Sequence, residues 1–459
     1  MTSTTFAAPA PAPGPATSPP AGTTTRRRYA VVGAGHRARL YVDAMTGEHA
    51  DVAELVALCD TNPHRLAFHA DRARTDGGTE PARYAAHDVD RMLDETRPDV
   101  VVVTSPDRTH AAHVAAALHH GADVVVEKPL TIDAEGMYTI LDAARSSGRD
   151  VTVAHNYRYA EQNAAMRQVV AEGRVGDVVS VHFEWLVDTA HGADYFRRWH
   201  RDKAASGGLL VHKASHHFDL VNWWTQDVPE SVYARGGLRF YGEAAGDGGS
   251  RYALDLTADP ELRALYHDAA HADGYRRDQD PFGAGATIED TLSVLVGYRS
   301  GASMTYSLTA HSPWEGYRVA INGTRGRAEL DIVERCHSTA GLPAADGAAA
   351  DGGTPADGGT SRCCEVRRTG GRLVVQEHWG HAVEVPFGGP AGHREGDAAM
   401  LRDVLRGHLP PSAGGVAGDP LDRRAGVRDG LRSVAVGVAG NRSLATGQVV
   451  PVASLGIPL

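Results

Sequence analysis

Three stretches of this 459-residue chain combine residue types at spacings that could do chemistry. The first is Arg28-Tyr29-Ala30-Val31-Val32-Gly33-Ala34-Gly35-His36-Arg37-Ala38, an apolar run halted by two glycines. Gly33 permits a tight turn, Gly35 lets backbone approach a pyrophosphate, and Ala38 allows a following helix to sit close to the strand. The start of that helix offers free N–H groups and a partial positive charge to phosphates. The second stretch is Glu127-Lys128-Pro129, and the third runs from Gly207 to Trp224. In the third, His212 and His216 fall one helical turn apart on one face, flanked by Lys213 and His217. A histidine titrating near neutrality suits proton transfer. The same i, i+4 histidines also have zinc-ligand spacing, but no His-Glu-x-x-His pattern accompanies them, so no metal site is expected.

These stretches need elements to hold them, and the patterning supplies them. The run Tyr29–Val32 reads as a buried strand and the pattern through Met45 as a helix. A second strand, Leu55–Cys59, ends in Asp60. A carboxylate there can accept both ribose hydroxyls, which favours NAD, while Arg37 and Arg65 leave NADP open through a 2′-phosphate. Pro98–Thr104 reads as a strand ending in Ser105-Pro106-Asp107-Arg108-Thr109-His110, then comes a helix from Ala111 to His120 stopped by Gly121. Asp123–Val126 is another strand, running into Glu127-Lys128-Pro129. Strand–helix alternation predicts a doubly wound parallel sheet with ligands at the carboxyl ends of its strands, where both loops lie.

A second domain is expected from residue 151 to 459. It begins with a helix near Glu161–Glu172 and a strand Val178–Val187, in which Val179, Val181, Phe183 and Trp185 alternate with Ser180, His182, Glu184 and Leu186. Further strands are expected at Ser231–Ala234, Thr291–Tyr298, Ala302–Ala310, Tyr317–Asn322 and Arg327–Ile332, making an α+β domain on a largely antiparallel open sheet. Helices near Gly396–Arg406 and Asp422–Asn441 close the chain. Residues 340–362, rich in Gly, Ala, Asp and Pro, read as a flexible insertion. Residues 1–27 are expected to be a disordered tail, since Ala, Pro, Thr, Ser and Gly cannot bury enough apolar surface. Arg26-Arg27-Arg28 leads straight into strand residues, with no separate apolar segment of an export signal.

Composition limits partners. A net charge of -11 argues against nucleic acid. No apolar run approaches the ~18 residues of a membrane span. Cys59, Cys336, Cys363 and Cys364 show neither metal-ligand spacing nor a disulfide framework, and a cytoplasmic enzyme is expected.

The glycine turn, Ser105-Pro106-Asp107-Arg108-Thr109-His110, Glu127-Lys128-Pro129, Asn156-Tyr157-Arg158-Tyr159 and Gly173-Arg174-Val175-Gly176 together resemble the glucose-fructose oxidoreductase/inositol dehydrogenase (Gfo/Idh/MocA) family. The resemblance covers nearly all of residues 28–335. It implies a Rossmann domain over 28–150 and an NAD(P)-dependent oxidoreductase acting on a secondary hydroxyl of a sugar, cyclitol or derivative. It places Lys128 between nicotinamide and substrate, with Pro129 following a cis peptide. The cofactor site it implies is Gly33, Gly35, His36, Arg37, Asp60, Ser105, Pro106, His110, Glu127 and Lys128. Relatives carry an Asp, then three residues, then a catalytic His before a further Asp and a Trp; alignment on Asp219 and Trp223 puts the base at His216 and His212 in place of the usual Asp. Tyr157, Arg158, Trp199, His200, Arg201, Lys213 and His217 are expected around the substrate. The resemblance further implies a homo-oligomer, a dimer or tetramer. Two other readings stay open: a redox-neutral glycosidase or lyase with transient sugar oxidation, and a nucleotide-dependent sensor.

Overall fold

The computed structural model describes residues 26–75, 79–245, 252–338, 366–388, 393–416 and 418–459. The expected tail, except for Arg26 and Arg27, and the expected insertion at 340–362 lie outside the described residues.

The first sheet is built from β1 (Arg27–Val32), β2 (Ala53–Asp60), β3 (Ala82–Ala85), β4 (Val100–Val103), β5 (Asp123–Val126) and β6 (Val151–Val153), all parallel, in the order 6-5-4-1-2-3. Strands such as Val100-Val101-Val102-Val103 are buried throughout, because helices cover both faces of a doubly wound sheet. Two expectations shift here. Arg27 already pairs with Ala53 in β1, so the sheet takes in the last residue of the expected tail. Val151–Val153 pairs with β5, so the first sheet runs past the expected boundary at 150.

The second sheet contains β7 (Val178–Asp188), β8 (Pro229–Gly237), β9 (Thr291–Tyr298), β10 (Ser303–Ser312), β11 (Glu315–Gly323), β12 (Gly326–Arg335), β13 (Gly370–Glu377) and β14 (Val383–Val385). Its order is 14-13-12-11-7-10-9-8, with a short further strand outside β8; only β7 and β10 pair in parallel. Val181, Phe183, Trp185 and Val187 of β7 face the core, while Val179 stands half exposed. The strands β13 and β14 were not foreseen.

The carboxyl-terminal region ties the sheets together. After Ala425-Gly426 adds an antiparallel β15 to the edge of the first sheet, the helix Val427–Thr446 runs back across the second domain. That helix starts later than the expected Asp422. At Gly437 a Cβ would stand 2.6 Å from the carbonyl oxygen of Leu210, so only glycine lets the helix press against the backbone leading to His212.

Candidate active site

The glycine turn has the shape of a phosphate cradle. Gly33 has φ +97°, and a Cβ there would lie 2.4 Å from the Ser105 nitrogen, so the β1 and β4 loops touch backbone to backbone. Asp60, at the end of β2, accepts from the amides of Ala34 (2.6 Å) and Asn62 (2.8 Å). A dinucleotide fits this donor set: open glycine backbone, the amides that begin the helix, and a carboxylate on the neighbouring strand.

Several expected cofactor residues also brace the cradle. Arg37 donates from Nε to Glu127 (2.6 Å) and in a fork to Asp397 (3.0 and 2.9 Å), and Tyr41 also donates to Glu127 (2.9 Å). Arg65 pairs with Asp273 at 2.8 Å. The fork of Arg37 is taken up by Asp397, while Arg65 is paired through Nη1. His110, buried, lies 2.8 Å from both the Pro129 and Ser105 carbonyl oxygens and links the β4 and β5 loops. Ser105 accepts from Thr109 (2.7 Å), and Pro106 precedes the turn that leads into the helix His110–His119. The amide of His36 donates to the hydroxyl of Tyr266 at 2.8 Å.

Lys128 follows β5 and precedes a cis peptide to Pro129. Its ammonium donates to the backbone oxygen of His212 at 3.2 Å, so the first sheet's strand-end loop meets the second domain here. Burial, then the nearby Lys213 charge, pushes the Lys128 pKa down to about 8.

The expected single helix carrying the histidines is two: Leu209–His212 and Ala214–Thr225, joined through Lys213. The break gives the histidines different neighbours. Nδ1 of His212 lies 2.6 Å from Asp107, and its ring meets His200 at 4.2 Å, Tyr195 at 5.7 Å and Trp199 at 6.0 Å. His216 sits edge-on to Tyr157 at 4.7 Å and to His155 at 5.7 Å. Both rings titrate well below the usual histidine range, through burial first and the Lys128 charge second. Burial pushes Asp107 the other way, upward.

Four expected substrate residues are held by partners within the protein. Arg158 forks onto Asp219 at 2.7 and 2.6 Å, and both are buried, because a desolvated guanidinium must be paired. His217 is wholly buried, stacked on Trp185 at 3.9 Å and 2.7 Å from the Tyr306 hydroxyl. Lys213 is buried over the rings of Trp185 (4.9 Å) and Tyr157 (5.6 Å), toward Glu315 and Glu334. Arg201 donates to the backbone oxygens of Gly283 (2.8 Å) and Ala284 (2.7 Å), pinning a loop. Trp199 and Tyr157 do border the histidines, and Trp199 stacks on His200 at 3.7 Å.

Asp107, His155, Tyr195 and Tyr266 were not singled out from the sequence. Asp107 lay within a loop already placed at a strand end; the other three gave no local signal. No group of three or more metal-ligating side chains gathers among the described residues.

Residues 27–155 match the model described as "Oxidoreductase family, NAD-binding Rossmann fold", and residues 167–452 match "Oxidoreductase family, C-terminal alpha/beta domain". The chain is 31% identical over 420 residues to the putative oxidoreductase YteT of Bacillus subtilis, covering 85% of this chain and 90% of the relative. It is 28% identical over 222 residues to an inositol 2-dehydrogenase of Rhizobium meliloti, covering 48% and 62%. Among solved structures, an oxidoreductase from Agrobacterium radiobacter in complex with NAD+, L-tartaric acid and magnesium superposes with TM-score 0.60 at 16% identity, covering 94% of this chain and all of that one.

Proposed function

The chain belongs to the Gfo/Idh/MocA oxidoreductase family, and on that premise we propose that it transfers a hydride between NAD and a secondary hydroxyl of a sugar, cyclitol or derivative. The observation that carries the reading is the hydrogen bond from Lys128 to the backbone of His212, with the neighbouring Glu127 held by Arg37 of the glycine-turn segment. A bound dinucleotide supplies the hydride acceptor. The rest falls to the chain. The Lys128 ammonium holds the substrate oxygen and stabilises the negative charge that develops as its proton leaves. His216, a neutral ring, takes that proton, and His212 provides a second polar contact. Tyr157 and Trp199 offer flat faces to sugar C–H groups. Preference for NAD is supported by the Asp60 carboxylate, and by the ion pairs that occupy Arg37 and Arg65.

The relative named for inositol supports a polyhydroxylated ring as substrate class. The outer face of the second sheet, with His182, Glu184, Leu295, Thr305 and Arg318 along a broad concavity, supports assembly of two copies through that face. A second reading, redox-neutral glycosidase or lyase chemistry, draws on the His212–Asp107 pair, an acid–base group beyond what simple alcohol oxidation needs.

Incubation with NAD and a panel of sugars and cyclitols tests both. Reduced cofactor appearing with a product two hydrogens lighter supports the dehydrogenase. Bond cleavage without net reduction supports the second reading, and no change with any member rejects both.

A further inference from the structure

The segment from Asp259 to Arg277 belongs by connectivity to the second domain, yet it docks on the nucleotide-binding half. Leu256, Leu262, Leu265 and Tyr266 form an apolar cluster of their own, and Phe68, from the helix after β2, packs against it. Polar contacts surround that cluster. Asn62 donates to the Ala269 oxygen (2.9 Å) and Arg65 to the Leu265 oxygen (3.1 Å), Arg65 pairs with Asp273, and Arg39 pairs with Glu261. At the centre, the Tyr266 hydroxyl lies 2.8 Å from the His36 nitrogen and 3.4 Å from where a Cβ of Gly35 would stand.

That is the place a pyrophosphate takes in a glycine-rich turn. The tyrosine is 7% exposed, and its oxygen accepts from His36. The hydroxyl's own hydrogen meets no acceptor among the described residues. A phosphate oxygen placed here would give that hydroxyl an acceptor. Two cationic side chains lie close: the guanidiniums of Arg65, paired with Asp273 through Nη1, and of Arg277 lie 5.4 and 4.8 Å from the centre of the ring. Nη2 of Arg65 is also buried without a hydrogen bond, in a residue only 7% exposed.

We propose that Tyr266 is a pyrophosphate ligand and that the 259–277 segment is the second domain's wall of the dinucleotide site. This rests on the cofactor reading above. In the structure the hydroxyl stands in for a phosphate oxygen at the His36 amide; with dinucleotide bound, a small shift turns it from acceptor into donor toward that oxygen. The site is therefore closed by both domains, and release of the dinucleotide requires the segment to lift.

Binding of NADH, ADP-ribose and adenosine to the full chain, wild type and Tyr266→Phe, tests this. A hydrogen bond to a charged group makes the expected loss roughly tenfold to hundredfold for NADH and, equally, for ADP-ribose. Adenosine, which lacks phosphate, should bind both proteins alike. Unchanged or tighter ADP-ribose binding by the variant overturns the assignment, as does an equal loss for adenosine. Hydrogen exchange on the wild type gives an independent measure: NADH should slow exchange across 259–277, and an unchanged rate there overturns the closed wall. A wild type that binds neither NADH, NADPH nor ADP-ribose would instead remove the cofactor reading itself.

Discussion

Nδ1 of His212 lies 2.6 Å from a carboxylate oxygen of Asp107, one hydrogen bond that joins the second domain's short helix to the loop after β4. The contact fixes one ring nitrogen, and the other makes no hydrogen bond among the described residues. A carboxylate in this position sets both the orientation and the tautomer of an imidazole. Asp107→Asn keeps the shape but replaces an acceptor with an amide that can donate. Turnover should drop on the order of 10², within the worth of positioned acid–base groups. Affinity for NADH should stay nearly constant, and the two measurements together separate a local effect from misfolding.

Lys128→Ala and His216→Ala should each bind NADH almost normally while losing roughly 10²–10⁴ in turnover. The double variant should lose far less than the product of the single losses, because both side chains act on one hydroxyl. Full activity in His216→Ala on an identified substrate would return that ring to a packing role against Tyr157.

The pH profile should report Lys128. With its pKa pushed down to about 8 by burial, the ammonium that holds substrate oxygen is lost as pH rises through that value. The rate kcat/KM should therefore fall on the alkaline side, and Lys128→Arg, which stays charged, should move that limb upward. A wild-type profile flat to the limit of protein stability would contradict the role.

The buried neutral histidines should weaken the fold as pH falls, against the buried carboxyls of Asp107, Asp219 and Glu334, whose raised pKa works the other way. His155 is held down to about 3 by burial and Arg158, and His200, His212 and His216 are also lowered by burial. Unfolded histidines take up protons below roughly pH 6.5 while these stay neutral in the fold, so stability declines as pH falls below that point. Each such histidine costs the fold on the order of 1 kcal/mol per pH unit below it. Denaturant titrations of the wild type and His155→Gln from neutral pH toward acid check the sign; a wild type that loses no more stability than the variant on acidification would contradict it.

Asp60 should make NAD the tighter cofactor, since a 2′-phosphate brings negative charge against its carboxylate. Calorimetric titration of both cofactors tests this, and Asp60→Ala should narrow the difference. The same change removes the acceptor of the Ala34 and Asn62 amides, so a lower melting temperature should accompany it.

Much was legible from residue order because it depends on near neighbours along the chain. The apolar run before Gly33, the all-valine β4 and the alternation of β7 each express a local period, and a period determines strand or helix and which side is buried. The glycine turn, Lys128 before Pro129 and the two histidines were legible for the same reason: each is a short motif. β13 and β14 were missed because they follow a long Gly- and Ala-rich stretch and pair only at the sheet's edge. What the chain could not reveal locally is which partner each side chain takes. Arg158, expected at the substrate, lies against Asp219 because a buried guanidinium must find a carboxylate. His217 turned inward onto Trp185, and the break at Lys213 sent His212 toward Asp107 while His216 faced Tyr157. Tyr266 reaches His36 across 230 residues of chain. By itself the sequence determined most of the elements, the cradle and the candidate chemistry; the tertiary structure decided the partners, because pairing of buried charge and hydrogen bonds depends on distance in space rather than on spacing along the chain.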